Sequence, residues 1–231
     1  MKDVYKNPIK FIQRAYIVIT YHVARLFDAY QDRRICGVSL TRRYNTGVEG
    51  GNPYSGTCYW TLERIFAKSK FTENDSIVDV GCGQGRLFAF LIKHHFPGRM
   101  TGIEYHAPTA DIAKAWTSKY PDKQIRIIQG DAFAQQYDEF TVVYYFNSFQ
   151  TEYFIKFINL LEEQLTHPIR FYFMTDQLHW RYLKGRPGWK GRFRRKIFMR
   201  YGLCMWGSPQ YCSLWKYTPP QLRENKHLCQ E

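Results

Sequence analysis

The chain has 231 residues, of which 45% are hydrophobic and 23% charged, a composition that excludes disordered, collagen-like and coiled-coil proteins. This length predicts a single domain over residues 1–231, with a core large enough to fold without disulfides or a structural metal. The net charge of +13 is uneven: +7 over residues 1–70, −4 over 71–165 and +10 over 166–231. The basic ends favour an anionic partner, although a charge that merely keeps the protein dispersed explains them equally well.

The first predicted element is a helix over Phe11–Tyr30, with apolar residues at spacings of three and four. This apolar stripe comprises Ile12, Tyr16, Ile19, Val23 and Leu26. We expect the stripe to pack on the domain, and the alternative is a helix that lies on a membrane surface. The segment is too short and too charged to span a bilayer.

Residues 31–57 are rich in glycine and lack periodicity, which indicates a long functional loop before a helix over Tyr59–Lys68. Strands and helices then alternate. Strands are predicted at Ser76–Val80, Met100–Glu104, Ile125–Gln129, Thr141–Phe146 and Ile169–Thr175, and helices at Arg86–His95, Pro108–Lys119 and Glu152–Leu165. This order predicts an α/β three-layer sandwich with a mostly parallel sheet. Within it we expect N-terminal helices and a covering loop at 1–70, a cofactor-binding core at 71–176, and a basic part completing the sheet at 177–231.

The segment Arg181–Arg200 holds nine basic residues and no acidic one. Trp189, Phe193 and Ile197 recur every four residues, so we expect an amphipathic helix with a basic face. Nucleic acid, an acidic glycan or an anionic membrane surface would fit this face, and so would solvent alone. Tyr211–Tyr217 predicts a final strand.

The strongest motif is Asp79-Val80-Gly81-Cys82-Gly83-Gln84-Gly85-Arg86, between a predicted strand and a predicted helix. Glycines let backbone amides approach a ligand closely, and a helix N-terminus adds positive potential. The next strand ends in Glu104, which can accept hydrogen bonds from ribose hydroxyls. The third strand is followed by Asp131, which can receive an exocyclic amino group, while backbone amides there can reach adenine nitrogens.

Two cofactors remain possible at this turn. Dinucleotide enzymes use G-x-G-x-x-G, whereas this chain has G-x-G-x-G preceded by Asp79. A carboxylate beside the turn repels a pyrophosphate but suits the aminoacyl group of S-adenosylmethionine. A nicotinamide oxidoreductase is therefore the weaker reading, and a non-catalytic basic binding module on the same fold is a further alternative.

The Asp79–Arg86 motif resembles the first motif of class I S-adenosylmethionine-dependent methyltransferases. The resemblance to this family covers residues 54 to about 176. The resemblance implies a seven-stranded, Rossmann-like sheet and methyl transfer from S-adenosylmethionine. It also implies a cofactor site on residues that match the family's motifs. These residues are Asp79, Gly81, Cys82, Gly83, Gly85, Glu104, Tyr105, Asp131, Ala132 and Asn147. The segment from Asp32 to Thr57 resembles the corresponding part of uncharacterised bacterial members, which implies that Tyr54 and Thr57 lie near the cofactor carboxylate.

Asn147-Ser148-Phe149 matches the position of the family's fourth motif, without its prolines. The partial match implies that Asn147 and Phe149 border the reacting methyl group, and it favours an amine acceptor in protein or RNA. An Asn at this place also caps helices, and the two readings have equal weight.

The candidates for a base, if the reaction needs one, are Tyr54, His106, Tyr145 and His179. The cysteines and histidines lack metal-binding spacing, so we expect no metal site. The N-terminal residues lack a signal-peptide pattern. We therefore expect a cytoplasmic protein, with peripheral membrane association as an alternative.

Overall fold

The computed structural model describes residues 8–41, 49–52, 56–197, 210–220 and 222. The helices are α1 (Pro8–Cys36), α2 (Tyr59–Phe66), α3 (Arg86–Lys93), α4 (Ala107–Thr117), α5 (Thr151–Gln164) and α6 (Trp180–Leu183). The strands are β1 (Ser76–Val80), β2 (Arg99–Glu104), β3 (Ile125–Gln129), β4 (Val142–Phe146), β5 (Ile169–Met174), β6 (Trp189–Ile197) and β7 (Gln210–Tyr217). From β1 to β5 the predicted elements are confirmed, with ends shifted by at most two residues.

The seven strands form one sheet in the order β3-β2-β1-β4-β5-β7-β6. Strands β1 to β5 are parallel, and β7 runs antiparallel to both β5 and β6. The chain order reverses between β1 and β4, and in open α/β sheets ligands bind at the carboxyl ends of the strands beside such a switch. The predicted seven-stranded, mostly parallel α/β fold is confirmed.

Apolar side chains fill both faces of the sheet, because alternate residues of a strand point to opposite sides. One core lies under α2, α3 and α4 and includes Ile77, Phe88 and Trp116. The other lies under α5 and includes Val78 and Phe157. The sheet is thus covered on both sides, as continuous apolar strands require.

Helix α1 departs from the prediction. Its apolar stripe does not pack on the described part of the domain: Ile12 is 65% exposed, Ile19 61%, Val23 59% and Leu26 71%. The expectation of a buried stripe was therefore wrong, because the helix contacts the domain through a different face. No helix among the described residues is long and apolar enough to cross a membrane.

The face of α1 that does contact the domain carries charge. Asp32 is fully buried and forms a two-point ion pair with Arg86 of α3, with Nη2–Oδ2 and Nε–Oδ1 distances of 2.8 and 3.1 Å. Asp28 lies 3.5 Å from the same guanidinium. The Tyr59 hydroxyl and the Leu40 amide also donate to Asp32. Buried carboxylates need such partners, so this network fixes the C-terminal part of α1 at the start of α3.

The basic segment after residue 180 is also different from the prediction. Residues Trp189–Ile197 form the edge strand β6, not an amphipathic helix. A spacing of four residues places side chains on one face of a strand as well as of a helix, so the pattern was ambiguous. A shift in pairing between Gly191 and Phe193 then puts Trp189 in one core and Phe193 beside the other.

Candidate functional site

The glycine-rich turn joins β1 to α3 at the carboxyl edge of the sheet. Gly81, Gly83 and Gly85 all have left-handed backbone conformations, with φ of 75°, 56° and 83°. Side chains other than glycine adopt such angles only with strain, which explains the spacing of the three glycines. The Gly81 and Cys82 amides both donate to the Ile103 carbonyl at 2.9 Å, so the turn is anchored to β2.

Side chains behind the turn hold it in place. The Trp116 indole donates to the Gln84 carbonyl at 2.8 Å, and Trp116 and Phe88 would both contact a Cβ at Gly85. Cys82 is buried, and its sulfur would lie 2.6 Å from a Cβ at Gly102. The Cys82 side chain therefore packs against β2, behind the turn.

Glu104 ends β2 directly beside this turn. Its Oε2 accepts from the Gly83 amide and its Oε1 from the His106 amide, each at 2.8 Å. A carboxylate has about four acceptor positions, so two remain for hydroxyl groups of a ligand. Burial raises the pKa of Glu104, and the two amide hydrogen bonds oppose that shift.

Asp79 is the penultimate residue of β1 and is buried. Burial and the nearby Glu104 carboxylate raise its pKa well above the ordinary value. Neither carboxyl group forms an ion pair with a lysine or arginine in the described ranges. Two buried acids that share a site without a cation fit a positively charged ligand, and S-adenosylmethionine carries an ammonium and a sulfonium.

The adenine side of the predicted site is more open. Asp131 is exposed, and its Oδ1 accepts from the Phe133 amide at 2.9 Å. That bond leaves the second carboxylate oxygen available to a ligand. Ala132 is buried at the start of a short 3-10 turn, and Tyr105 is 57% exposed beside Glu104.

Asn147 follows β4 in a left-handed conformation, with φ of 43°. Its Oδ1 is buried and has no hydrogen-bond partner among the described residues. Helix α5 begins later, with Gln150 as its capping residue and no side-chain cap. The capping interpretation of Asn147 is therefore wrong. Its side-chain amide oxygen can instead accept a hydrogen bond from a ligand.

Residues 147–149 also contact the glycine turn. The Ser148 hydroxyl donates to the Val80 carbonyl at 2.6 Å, and a Cβ at Gly81 would lie 2.8 Å from the Ser148 hydroxyl oxygen. Phe149 packs against Phe133, with ring centroids 5.2 Å apart. The ends of β1 and β4 thus contact each other at the carboxyl edge of the sheet, where open α/β sheets have their ligand cleft, and Asn147 lies beside this contact.

Two described residues of the loop before α2, Gly51 and Asn52, contact this edge. Asn52 donates from its side chain to the Asn147 and Phe149 carbonyls at 2.7 and 3.1 Å, and from its backbone to Ser148 at 3.0 Å. Gly51 forms a single antiparallel bridge with Phe149. Sequence reasoning missed Asn52 because no local pattern indicates a contact across 95 residues.

Two more buried polar atoms without partners in the described residues lie after β5. They are Oγ1 of Thr175, which has φ of 61°, and Nδ1 of His179. The register pairs Phe146 with Met174, so Asn147 and Thr175 directly follow the ends of two neighbouring strands. Strained backbone and unsatisfied polar groups concentrate at functional sites, and both occur here.

The outcome differs among the remaining predicted residues. The Thr57 hydroxyl is buried and lies 2.8 Å from that of Tyr144, while Tyr54 lies outside the described residues. Among the candidate bases, the buried Tyr145 hydroxyl accepts from the Phe149 amide, and burial raises its pKa.

The histidines are held by hydroxyl groups. His106 Nδ1 lies 2.6 Å from the Thr109 hydroxyl, and His179 Nε2 lies 3.0 Å from that of Thr151. Burial lowers the pKa of His179, so its imidazole is neutral near pH 7. Within the described ranges, no group of three or more acidic, histidine or cysteine side chains is placed to hold a metal ion.

Comparison with known proteins agrees with this geometry. A family model described as "Methyltransferase domain" matches residues 77–164. No curated protein matches the chain in sequence.

Several solved structures share the fold. An RNA methyltransferase from Salinibacter ruber, in complex with S-adenosyl-L-homocysteine, is 20% identical with a TM-score of 0.50, over 71% of this chain and 94% of that one. A methyltransferase from Pyrococcus furiosus is 12% identical with a TM-score of 0.57, over 86% and 98% of the two chains. TrmN from Thermus thermophilus is 11% identical with a TM-score of 0.56, over 78% and 54%.

The glycine turn, the strand order and the matched domain point the same way. The resemblance noted in the sequence agrees with these findings: residues 77–164 match the model of a methyltransferase domain, and the chain shares its fold with solved methyltransferase structures.

Proposed function

We propose that this protein transfers a methyl group from S-adenosylmethionine to an amine nitrogen held at Asn147. The observation that carries the proposal is the Asn147 side-chain oxygen, buried at the end of β4 without a partner in the described residues. An amide oxygen accepts hydrogen bonds, so it suits an N–H group of an acceptor. Such a bond orients the nitrogen lone pair, and orientation supplies much of the rate of a displacement.

The carboxyl groups support the cofactor half of the proposal. Glu104 is held by two backbone amides with acceptor positions left for ribose hydroxyls. Asp79 is buried beside it, and a cationic ligand would favour its ionised form. When bound, S-adenosylmethionine supplies a methyl group that is activated by its sulfonium.

The arrangement also supports exclusion of water from the reaction. Asn52 bonds to the backbone on both sides of Ser148, and Phe149 packs on Phe133 at the same edge. A closed edge keeps a bound acceptor in one orientation and keeps solvent out.

Calorimetric titration with S-adenosylhomocysteine, beside NAD, tests the cofactor. We expect micromolar binding of the first ligand alone. Glu104→Ala should weaken the binding of S-adenosylhomocysteine at least about tenfold, since the two charge-assisted hydrogen bonds from the ribose hydroxyls to Glu104 are lost. Glu139→Ala is the matched control, because Glu139 is exposed and lies outside the site. Equal binding by wild type and Glu104→Ala would contradict the assignment, and binding of NAD instead would favour an oxidoreductase.

A labelled-methyl assay over RNA and protein extracts tests the transfer. We expect labelled methyl groups to enter either RNA or protein. We expect Asn147→Ala to lose this incorporation while cofactor binding stays intact. Label in hydroxyl or carboxyl groups would refute the amine acceptor. Cofactor binding without any incorporation would favour the non-catalytic binding module.

A further inference from the structure

A row of apolar side chains lies exposed on α1. We call Ile12, Ile19, Val23, Leu26 and Tyr30 the α1 row. At 3.6 residues per turn these positions lie within about 40° of one line along the helix, over a length of about 27 Å. The buried carboxylates of α1, Asp28 and Asp32, lie on the opposite side, and the buried Ala29 and Cys36 lie at one flank.

This concentration of exposed apolar groups is specific to α1. Eight of the eleven large hydrophobic side chains exposed in the described ranges belong to this helix. Elsewhere they are single residues: Val38, Tyr105 and Leu222. Scattered apolar residues are normal on a protein surface, whereas a contiguous set marks an interaction surface.

The charges of α1 select the kind of partner. Its two carboxylates, Asp28 and Asp32, are buried against Arg86. All its other charged residues are basic: Lys10, Arg14, Arg25, Arg33 and Arg34. Arg33 and Arg34 are exposed at the C-terminal end of the row. Positions 33 and 34 lie within about 60° of the line of the row, whereas positions 10, 14 and 25 lie more than about 120° from it. An apolar row with two exposed arginines at its end is complementary to anionic lipid headgroups above acyl chains.

A second copy of the chain fits this surface less well. It would bring the same basic helix against the row, and α1 exposes no carboxylate in its described part to pair with those cations. Like charges held close together without counter-charges destabilise an interface.

We propose that α1 binds the surface of an anionic lipid bilayer. The helix lies in the interface, with the α1 row among the upper acyl chains and Arg33 and Arg34 at the lipid phosphates. Asp32 of α1 pairs with Arg86, the residue that follows Gly85. Binding of α1 to the bilayer therefore places the glycine turn close to the membrane. The proposal does not depend on the methyl acceptor.

Co-sedimentation of the full chain with lipid vesicles tests the proposal. Vesicles of phosphatidylcholine and phosphatidylglycerol at about 3:1 are compared with pure phosphatidylcholine, at about 0.1 and 0.5 M NaCl. We expect binding to the anionic vesicles and its loss in pure phosphatidylcholine or at the higher salt. Equal binding to both lipids, or to neither, would overturn the proposal.

A double variant tests the α1 row itself. Ile19→Ser with Leu26→Ser should weaken vesicle binding about 10- to 100-fold, because two aliphatic groups no longer enter the bilayer. The control is Val38→Ser with Leu222→Ser, which removes two exposed aliphatic groups outside the row. All four side chains are exposed, so the thermal unfolding midpoints should match that of the wild type.

Two results would refute the role of the row. One is an equal loss of vesicle binding in both double variants. The other is a dimer, seen by analytical ultracentrifugation without lipid, that the row variant alone abolishes while wild type shows no vesicle binding. In that case a second copy covers the row.

Discussion

Replacing Asp28 by Asn should make the protein more stable near neutral pH but not in acid. Burial raises the pKa of Asp28 from 3.8 to about 6, even though the Arg86 guanidinium and the Tyr59 amide oppose the shift. The shift means that the native state binds a proton more tightly than the unfolded chain. Stability therefore falls as pH rises from about 4 to about 6, and the loss is complete above that range.

The structure sets the magnitude. A shift from 3.8 to about 6 corresponds to about 3 kcal/mol of unfolding free energy at pH 7. Asn keeps the shape and the acceptor oxygen that Asp28 offers to the Tyr59 amide at 3.2 Å, but it does not ionise. Arg86 keeps its two-point ion pair with Asp32.

Urea unfolding at pH 4, 5, 6 and 7 measures the effect as the difference between variant and wild type. We expect this difference to grow by about 2 kcal/mol in favour of the variant between pH 4 and pH 7, since at pH 4 the unfolded carboxyl group is already partly ionised. Asp111→Asn is the control, because Asp111 is exposed, and its difference from wild type should not change with pH. A constant difference for Asp28→Asn, or one that grows in favour of the wild type, would refute the reasoning, since the attraction of Arg86 would then outweigh burial.

The other predictions concern the cleft and the basic strand. Asn52→Ala should lower kcat about tenfold or more with little change in cofactor affinity, because two hydrogen bonds that hold the Asn147 segment are lost. Steady-state kinetics measures kcat and calorimetry measures cofactor affinity. A loss of cofactor affinity alone would contradict the role of Asn52 in holding that segment. Arg194→Gln should destabilise the fold by roughly 2–4 kcal/mol, since it leaves the buried Asp176 carboxylate without its two-point ion pair. The control Arg192→Gln, on the same strand, should change the stability little. Equal unfolding midpoints in urea for these two variants would show that Asp176 does not need its partner.

The residues of the cofactor half were predictable because each acts close to its own strand. The glycine spacing indicates left-handed backbone at Gly81, Gly83 and Gly85, and their φ angles agree. Glu104 ends its strand, so its place at the carboxyl edge follows from the parallel sheet. Short-range patterns of this kind survive folding unchanged.

The residues that complete the site were not predictable in this way. Asn52, Trp116 and Arg86 hold the cleft through contacts with residues 32 to 97 positions away. Asn147 was ambiguous between a cap and an acceptor ligand until the start of α5 at Thr151 left its oxygen without a partner in the described residues. Hydrogen bonds between distant segments depend on the fold and leave no periodic trace in the sequence.

The sequence by itself determined the alternation of strands and helices, the parallel sheet and the glycine turn, because these follow from hydrophobic periodicity and from backbone sterics within a few residues. Only the tertiary structure decided which face of each element is buried. The apolar stripe of α1 faces outward because the buried ion pair of Asp32 with Arg86 sets the rotation of the helix. The segment Trp189–Ile197 became a strand because β7 pairs with it, since a spacing of four residues is compatible with both structures.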